Sequence, residues 1–490
     1  MYHGLDFPFW LRATHYLNVL FITFMARSGL EILSAHPKFY WNDDCTPGSE
    51  WLSFTRKKLP QDRLWTSKDE EASWSPLLAL PGRENLGLGR HWHYATLLGW
   101  IVTGVVYGVL LFATDEWRRL IPTSWSIVPE AWHDFVSYIT FHLVKEPRYN
   151  ALQQLAYAGV TFLLAPFTIL TGAAMSPALA GRFPTYTKLF GGRQAARSLH
   201  FLCLVAFALF TLVHTLMIVL HGLAEEWPKI VLGPAYIGSA WGVAIGVAGL
   251  LVIVLLQVFA TLTSLRYPRP LQHLLGVIVD PVRRTLLHPL TSRQRYIPAD
   301  RSPYVRVNGS PPHDYNWRSL ADGDFHSWAL AVGGLVETPL RLTLADLRAM
   351  EQQTQTTKHV CIQGWSYIAS WSGVPLAEVV ARCHPKPEAR YLVFHTYDDK
   401  WEQPGHGYYY ETIALDLARH PQALLAHALN GAPLPPEHGA PLRLRIETQL
   451  GFKMAKYLRA IEFVADYRSV GAGQGGWRED AQHYGQEASI

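Results

Sequence analysis

The alternation of apolar and polar positions divides this chain in two. Five apolar runs, at roughly 14–34, 93–113, 152–175, 199–221 and 239–263, reach the length of about 20 residues that a helix needs to cross a bilayer. Between the second and third runs, Trp132 to Val144 predicts an amphipathic helix lying at the membrane interface. After Thr263 the pattern breaks. Residues 264–300 are rich in Arg and Pro around a short apolar piece, Leu274–Val279, and predict a linker on the membrane surface. From about Ser302 onward, short β-like runs (Trp328–Val332, Tyr391–His395, Leu442–Ile446) alternate with turns, and helices are expected at 343–350 and 413–429. The predicted fold class is an α-helical transmembrane bundle followed by an α+β domain. The expected divisions are 1–263, 264–301 and 302–490.

Composition narrows the function classes. Apolar residues make up 49% and charged residues only 17%, a balance that suits a chain with a large membrane-embedded part. Eighteen Trp and a net charge of +4 fit membrane interfaces better than nucleic acid, and no basic run carries interleaved aromatics. The four cysteines, Cys45, Cys203, Cys361 and Cys383, show no C-x-x-C spacing. That argues against zinc ribbons, iron–sulfur clusters and covalent haem. Residues 1–14 hold one positive charge, Arg12, and no twin-arginine run, so the first apolar run is expected to be a retained span.

Charge sets the expected orientation. The loops at 35–90 and 176–198 and the segment 264–295 would share one side, with eighteen Lys and Arg against six on the other. The positive-inside rule puts that side, and the C-terminal domain, in the cytoplasm of a bacterium, with the protein in its inner membrane and the N-terminus outside.

Histidines add chemistry to the spans. Arg12-x-x-His15, Arg90-x-x-His93 and Arg197-x-x-His200 repeat one pattern, and His214 follows His200 by fourteen residues. Fourteen residues advance a helix by about 21 Å and nearly four turns, so both histidines share a face. His15 opens the first span at one surface. His93 and His200 open the second and fourth at the other. His93 can therefore meet His200, and His15 can meet His214. Each residue alone would read as packed or interfacial, but two level pairs predict two bis-histidine sites suited to low-spin haem iron. The preceding arginines would neutralise haem propionates. His91 and His221 compete for these roles. Residues 10–222 resemble the di-haem cytochrome b subunits of formate dehydrogenases and nickel–iron hydrogenases. That resemblance implies two b-type haems in a four-helix core, quinone or quinol as electron partner, and a cytoplasmic N-terminus, opposite to the charge count.

In the second half, Cys361 sits in His359-Val-Cys-Ile-Gln-Gly-Trp-Ser366, a lone thiol that is a candidate soft-metal ligand. Two blocks carry a resemblance over residues 302–470. One is Cys361-Ile-Gln-Gly-Trp-Ser-Tyr-Ile-Ala-Ser-Trp-Ser-Gly-Val-Pro-Leu376. The other is Pro435-Pro-Glu-His-Gly-Ala-Pro-Leu-Arg443 with Leu450-Gly-Phe-Lys-Met-Ala-Lys456. They resemble the sulfite oxidase-like molybdopterin superfamily, which includes bacterial methionine sulfoxide reductase catalytic subunits. The resemblance implies that Cys361 is the protein's thiolate ligand to molybdenum. Arg443, Lys453 and Lys456 beside Gly451 make chemical sense as a cradle for an anionic pterin, with Met454 and Ala455 in the same block. His438 and Thr396 fall at pterin-contact positions of the family. Asn308 and His313 lie in what resembles its opening loop. Cys383 reads as an inert core thiol. Tyr408, Tyr409 and Tyr410 are core aromatics or line a substrate funnel.

The expected function is a membrane-bound molybdenum oxidoreductase of the oxygen-atom-transfer type. Its cofactors would be molybdenum–molybdopterin and two b-type haems. Its partners would be lipid, quinone or quinol and a small-molecule substrate, with no nucleic acid; self-association into a homo-oligomer is left open. Two rivals stand beside it: an enzyme running in the opposite redox direction (sulfite oxidation against sulfoxide reduction), and a haem conduit whose C-terminal domain is a metal-free docking module.

Overall fold

The computed structural model describes residues 7–57, 60, 62–144, 149–286, 296–401, 405 and 407–486. Among these, five helices are long and apolar enough to cross a membrane. They are α1 (Phe9–Ser34), α2 (Leu86–Ala113), α4 (Ala151–Ala174), α5 (Arg193–His221) and α6 (Ala240–Arg266). Apolar side chains such as Val105, Leu209, Leu212 and Leu255 face outward, as a lipid-facing surface requires. Within α4, Gly159–Leu164 widens to a π turn. Pro166 has no N–H for the carbonyl four residues back, and a wider turn relieves that clash.

Two further helices bear on the membrane boundary. The interfacial helix is α3 (Ile127–Ile139), set about five residues earlier than the hydrophobic pattern predicted. Its Trp132, Phe135 and Ile139 are exposed. α7 (Pro268–Leu286) continues from α6 and exposes Leu274, Val277 and Ile278.

The second and fourth spans begin earlier than the apolar pattern suggested. α2 starts seven residues before His93, capped by Asn85, whose side chain accepts from the Leu88 N–H. α5 starts seven residues before His200. Hydropathy alone missed these turns because they leave the apolar zone and bury themselves against protein.

A short antiparallel pair, β1 (Lys38–Phe39) and β2 (Leu52–Ser53), lies in the loop between the first two spans, and the C-terminal part holds two five-stranded sheets. One has the order β4 (Leu340–Thr343), β3 (Ala329–Gly334), β12 (Leu458–Val464), β7 (Tyr391–Thr396), β8 (Tyr410–Ala414). Only the β3–β12 pair in it is parallel. In the other, β10 (Ala432–Pro433) and β11 (Arg443–Ile446) both pair with β9 (Ala423–Leu429), which pairs with β6 (Ser366–Pro375), and β6 with β5 (Gln353–Val360). The expected helix at 343–350 is α8 (Leu344–Ala349), opened by a Thr343–Asp346 capping box. Helix α9 (Leu376–Cys383) places the Cys383 thiol in the apolar core.

The expected helix at 413–429 does not form. That stretch is the end of β8, one turn of α10 (Leu415–Ala418) and strand β9. Its Ala and Leu residues favour helix intrinsically, but Pro421 interrupts the run and β9 lies largely buried between β6 and β11. Tertiary context overrides propensity there.

The loop between the first two spans packs into the second sheet's core. Tyr40, Cys45 and Leu86 share one apolar cluster with Val360, Cys361, Trp365 and Tyr484. A polar lock reinforces it. Arg306, fully buried, donates to Glu70 at 2.7 Å, to the Tyr40 hydroxyl at 2.8 Å and to the Cys45 carbonyl at 2.7 Å. The two parts of the chain are therefore one packed body at this boundary.

Candidate functional site

The four helical histidines come together as their spacing predicted. The rings of His15 and His214 lie 6.3 Å apart between centroids, and those of His93 and His200 lie 6.5 Å apart. Two metal–nitrogen bonds of about 2 Å, with the ring radii added, separate trans imidazoles by such a distance. The outer nitrogens are held from behind. Ser28 Oγ lies 3.1 Å from His93 Nδ1, and Tyr157 Oη 3.3 Å from His214 Nδ1. His200 Nδ1 lies 3.0 Å from the Thr168 carbonyl and 3.2 Å from Thr171 Oγ1. Contacts of this kind orient metal-ligating histidines. The pairs fit haem iron: each offers two imidazoles and nothing else. Among the described residues no three His, Cys, Asp or Glu side chains converge.

The rival histidines are engaged elsewhere. His91 Nδ1 meets the Gly87 carbonyl at 2.8 Å and faces Gln272 of α7. His221 lies between the Met217 and Val144 carbonyls. The arginines of the repeated pattern also serve structure. Arg197 donates to the His36 and Lys38 carbonyls, and Arg12 to the Val231 carbonyl at 3.2 Å. For Arg197 the structure replaces the propionate role with a clamp on the first loop, because the chain turns back over the start of α5.

Cys361 occupies the tight loop joining β5 to β6. Its N–H donates to the Trp365 carbonyl, and Gly364 closes back onto the Cys361 carbonyl. Gly364 has φ +115°, and a Cβ there would come within 3.3 Å of the Arg197 guanidinium, so the loop requires glycine. Burial pushes the Cys361 thiol up to about 11, against the Gln363 N–H that favours the thiolate. Such a thiol ionises near neutral pH only when a cation takes its charge, as metal coordination does. The Asn308 amide donates to Sγ at 3.6 Å.

Two cavities border the loop of Cys361: Ile362 and Gln363 line one, His359 and Trp365 the other. One runs along His359, His438, Arg443, Met454 and Lys456. It is rich in cations, and the Nε of the buried Arg443 has no hydrogen-bond partner among the described residues. Burial, with Arg443 and Lys456 behind it, lowers His438 to about 3, leaving a neutral ring. Gly451 opens the wall: a Cβ would stand 2.4 Å from the His359 ring. An anion-bearing pterin fits these donors. The other cavity is lined by Gln363, Arg478, Glu71 and Lys400 among others, and Asn308 borders both.

Not every expected contact lies here. Lys453 turns away, because the 3₁₀ turn Gly451–Lys453 carries its side chain to the opposite side from Lys456. Its Nζ is buried against Glu411 at 2.8 Å and against Glu479. Thr396 is fully buried, bonding the Tyr409 carbonyl at 2.6 Å. Ala455 is packed in the core. His313 stacks on Trp401 with centroids 3.9 Å apart, outside both cavities. Of the three tyrosines, Tyr409 lines the cation-rich cavity, Tyr410 bonds Asp480, and Tyr408 bonds Asp314 at the surface. His359, Arg306 and Arg478 line the cavities without having been singled out. His359 could have been found from its place two residues before Cys361; nothing in the sequence around Arg478 signals its position.

The thiol loop is joined to the histidine helix. Arg193 Nη1 donates to the Gly364 carbonyl at 2.6 Å. Gln194 Nε2 donates to the same carbonyl at 2.9 Å and to Ser366 Oγ at 3.1 Å. His200 lies seven residues further along α5, about 10 Å along the axis.

Comparison with known proteins agrees with both halves. Residues 6–233 match the family described as prokaryotic cytochrome b561, and residues 318–470 match the oxidoreductase molybdopterin binding domain. The protein-methionine-sulfoxide reductase catalytic subunit MsrP of Xanthomonas axonopodis pv. citri (strain 306) is 40% identical over 144 residues, 28% of this chain and 45% of that protein. YedZ1 of Azospira oryzae, described as a candidate protein-methionine-sulfoxide reductase subunit, is 36% identical over 166 residues, 34% of this chain and 58% of its own. The chain thus spans about half the length of these relatives. The sulfane dehydrogenase SoxCD from Paracoccus pantotrophus aligns at 24% identity over 30% of this chain and 42% of its own, with a TM-score of 0.27, too partial a superposition to carry weight. The chain is an integral membrane protein that joins a cytochrome b part to a molybdopterin-binding oxidoreductase domain.

Proposed function

We propose that this protein is a membrane-bound molybdenum oxidoreductase that moves electrons between quinone and a small oxidised substrate through two b-type haems in its own chain. The observation that carries this reading is the clamp of Arg193 and Gln194 on Gly364, which ties the loop of Cys361 to the helix of His200. Cys361 would bind molybdenum. Asn308, His438, Arg443, Met454 and Lys456 would hold the pterin. His93 with His200 and His15 with His214 would each bind one haem. Bound there, molybdenum–molybdopterin supplies two-electron oxygen-atom transfer. The relatives named as methionine-sulfoxide reductases favour the reductive direction, in which R₂S=O with two electrons and two protons gives R₂S and water. The cation-rich cavity disfavours a metal-free docking module, since uncompensated buried charge is costly without an anion to meet it.

The test is anaerobic. Holoenzyme with reduced haems should reoxidise on addition of dimethyl sulfoxide, whereas protein from a host lacking the pterin cofactor should stay reduced. Equal reoxidation of both would sink the proposal.

Three expectations accompany it. His200→Ala and His214→Ala should each lose one haem of two by pyridine haemochrome assay, with His200→Ala losing the haem nearer Cys361. Loss of both haems, or of neither, in both variants would contradict the pairing. Asn308→Leu should keep its molybdenum and slow turnover by about 10–100-fold, the range for outer partners of a metal ligand. The charge count supports a cytoplasmic C-terminal domain, so alkaline phosphatase fused after Ile490 should be inactive and a fluorescent protein there bright.

A further inference from the structure

The second cavity, lined by Ile362 and Gln363 next to Cys361, is walled from two directions that lie outside the matched molybdopterin domain. Ser34, Lys68, Glu71 and Leu86 come from the first span, the first loop and the second span. Arg478 and Tyr484 come from the C-terminal segment. Each wall is anchored. Gln363, two residues from Cys361, donates to Glu71. The segment that includes α11 (Trp477–Gln482) is pinned from both ends: Arg269 of α7 donates to the carbonyls of Glu479 and Asp480, and Tyr484 is buried against Phe452. A Cβ on Gly87 of α2 would stand 2.3 Å from the Gln482 carbonyl, so helix and segment touch.

Among the described residues, Arg478 is the one group of this roof that borders both cavities. Its side chain donates to Gln482 and forms no ion pair among the described residues. A guanidinium held near the proposed metal-ligand thiol, with Glu71 on the same cavity wall but outside ion-pair distance, keeps N–H donors for whatever enters.

We propose that Arg478 hydrogen-bonds the oxygen of the substrate, and that the roof made by the membrane part and the C-terminal segment limits substrates to free small molecules, excluding oxidised side chains still attached to a protein chain. This rests on the function proposed above. The substrate class is a small molecule bearing an exposed acceptor oxygen, an oxyanion or a sulfoxide. A protein-borne substrate would have to displace the loop that is locked by Arg306 and Glu70.

The test uses the molybdenum(V) electron paramagnetic resonance signal of the full-length holoenzyme, with inorganic phosphate as small probe and dialysed phosvitin, a phosphoprotein, as large probe at matched phosphate. Phosphate should alter the signal and phosvitin should not. Arg478→Ala should need about 10–100-fold more phosphate for the same change, with Arg478→Lys between. If phosvitin acts as phosphate does, the size limit is overturned while the proposed function stands. If phosphate has no effect, or Arg478→Ala responds as the parent does, the role of Arg478 is overturned. A preparation with haem but no molybdenum(V) signal at any potential overturns the function, and this inference with it.

Discussion

Cys361→Ser is expected to retain both haems and to abolish sulfoxide-driven haem reoxidation. The loss should exceed the roughly 10–100-fold typical of outer-shell changes, because the change removes the proposed ligand itself. Serine nearly matches cysteine in size, so the loop held by Gly364, Arg193 and Gln194 should keep its shape. The effect is chemical. The buried thiol, pushed up to about 11 by desolvation, gives up its proton to a bound metal far more readily than an alkoxide would form in the same place. Reduced-minus-oxidised haem spectra should be unchanged while reoxidation stops. A variant that turns over at the parental rate would remove Cys361 from the chemistry.

Lys453→Met is expected to destabilise the C-terminal domain rather than to weaken pterin binding alone. Lys453 Nζ is buried between Glu411 and Glu479 and also meets the Thr412 and Gly475 carbonyls at 3.3 and 3.2 Å. Burial works against the ammonium, but the two carboxylates outweigh it and raise the Lys453 pKa; burial and Glu479 raise that of Glu411. Removing the cation leaves two carboxylates facing each other away from water. Breaking a buried pair from one side costs about 3–5 kcal/mol, enough to lower the melting temperature by roughly 10 °C for a domain of this size. The measurement is thermal unfolding of the variant beside the parent. An unchanged melting temperature with lost pterin would instead restore the cradle role that its sequence neighbours suggested.

These two residues also show what a sequence can and cannot disclose. The histidine pairs were legible because helical period converts spacing into geometry: fourteen residues from His200 to His214 fix both face and height. Cys361 stood out as a candidate because a whole block surrounds it. Lys453 was misread because adjacency to Gly451 and Lys456 says nothing about which way a 3₁₀ turn aims a side chain. The strand β9 was misread because Ala and Leu carry helix propensity, while its place between β6 and β11 is decided by pairing distant in sequence. Arg478 was invisible for a related reason. It reaches the site through contacts of the C-terminal segment with α2 and α7 that no local motif encodes.

The central claim is that one chain couples a molybdenum site to two haems. Its most direct test is the stoichiometry of the purified, full-length protein: molybdenum by elemental analysis, pterin by oxidation to its fluorescent product, and haem b by the pyridine haemochrome. The account predicts about one molybdenum, one pterin and two haems per chain. Haem without molybdenum, or molybdenum with a single haem, would contradict it.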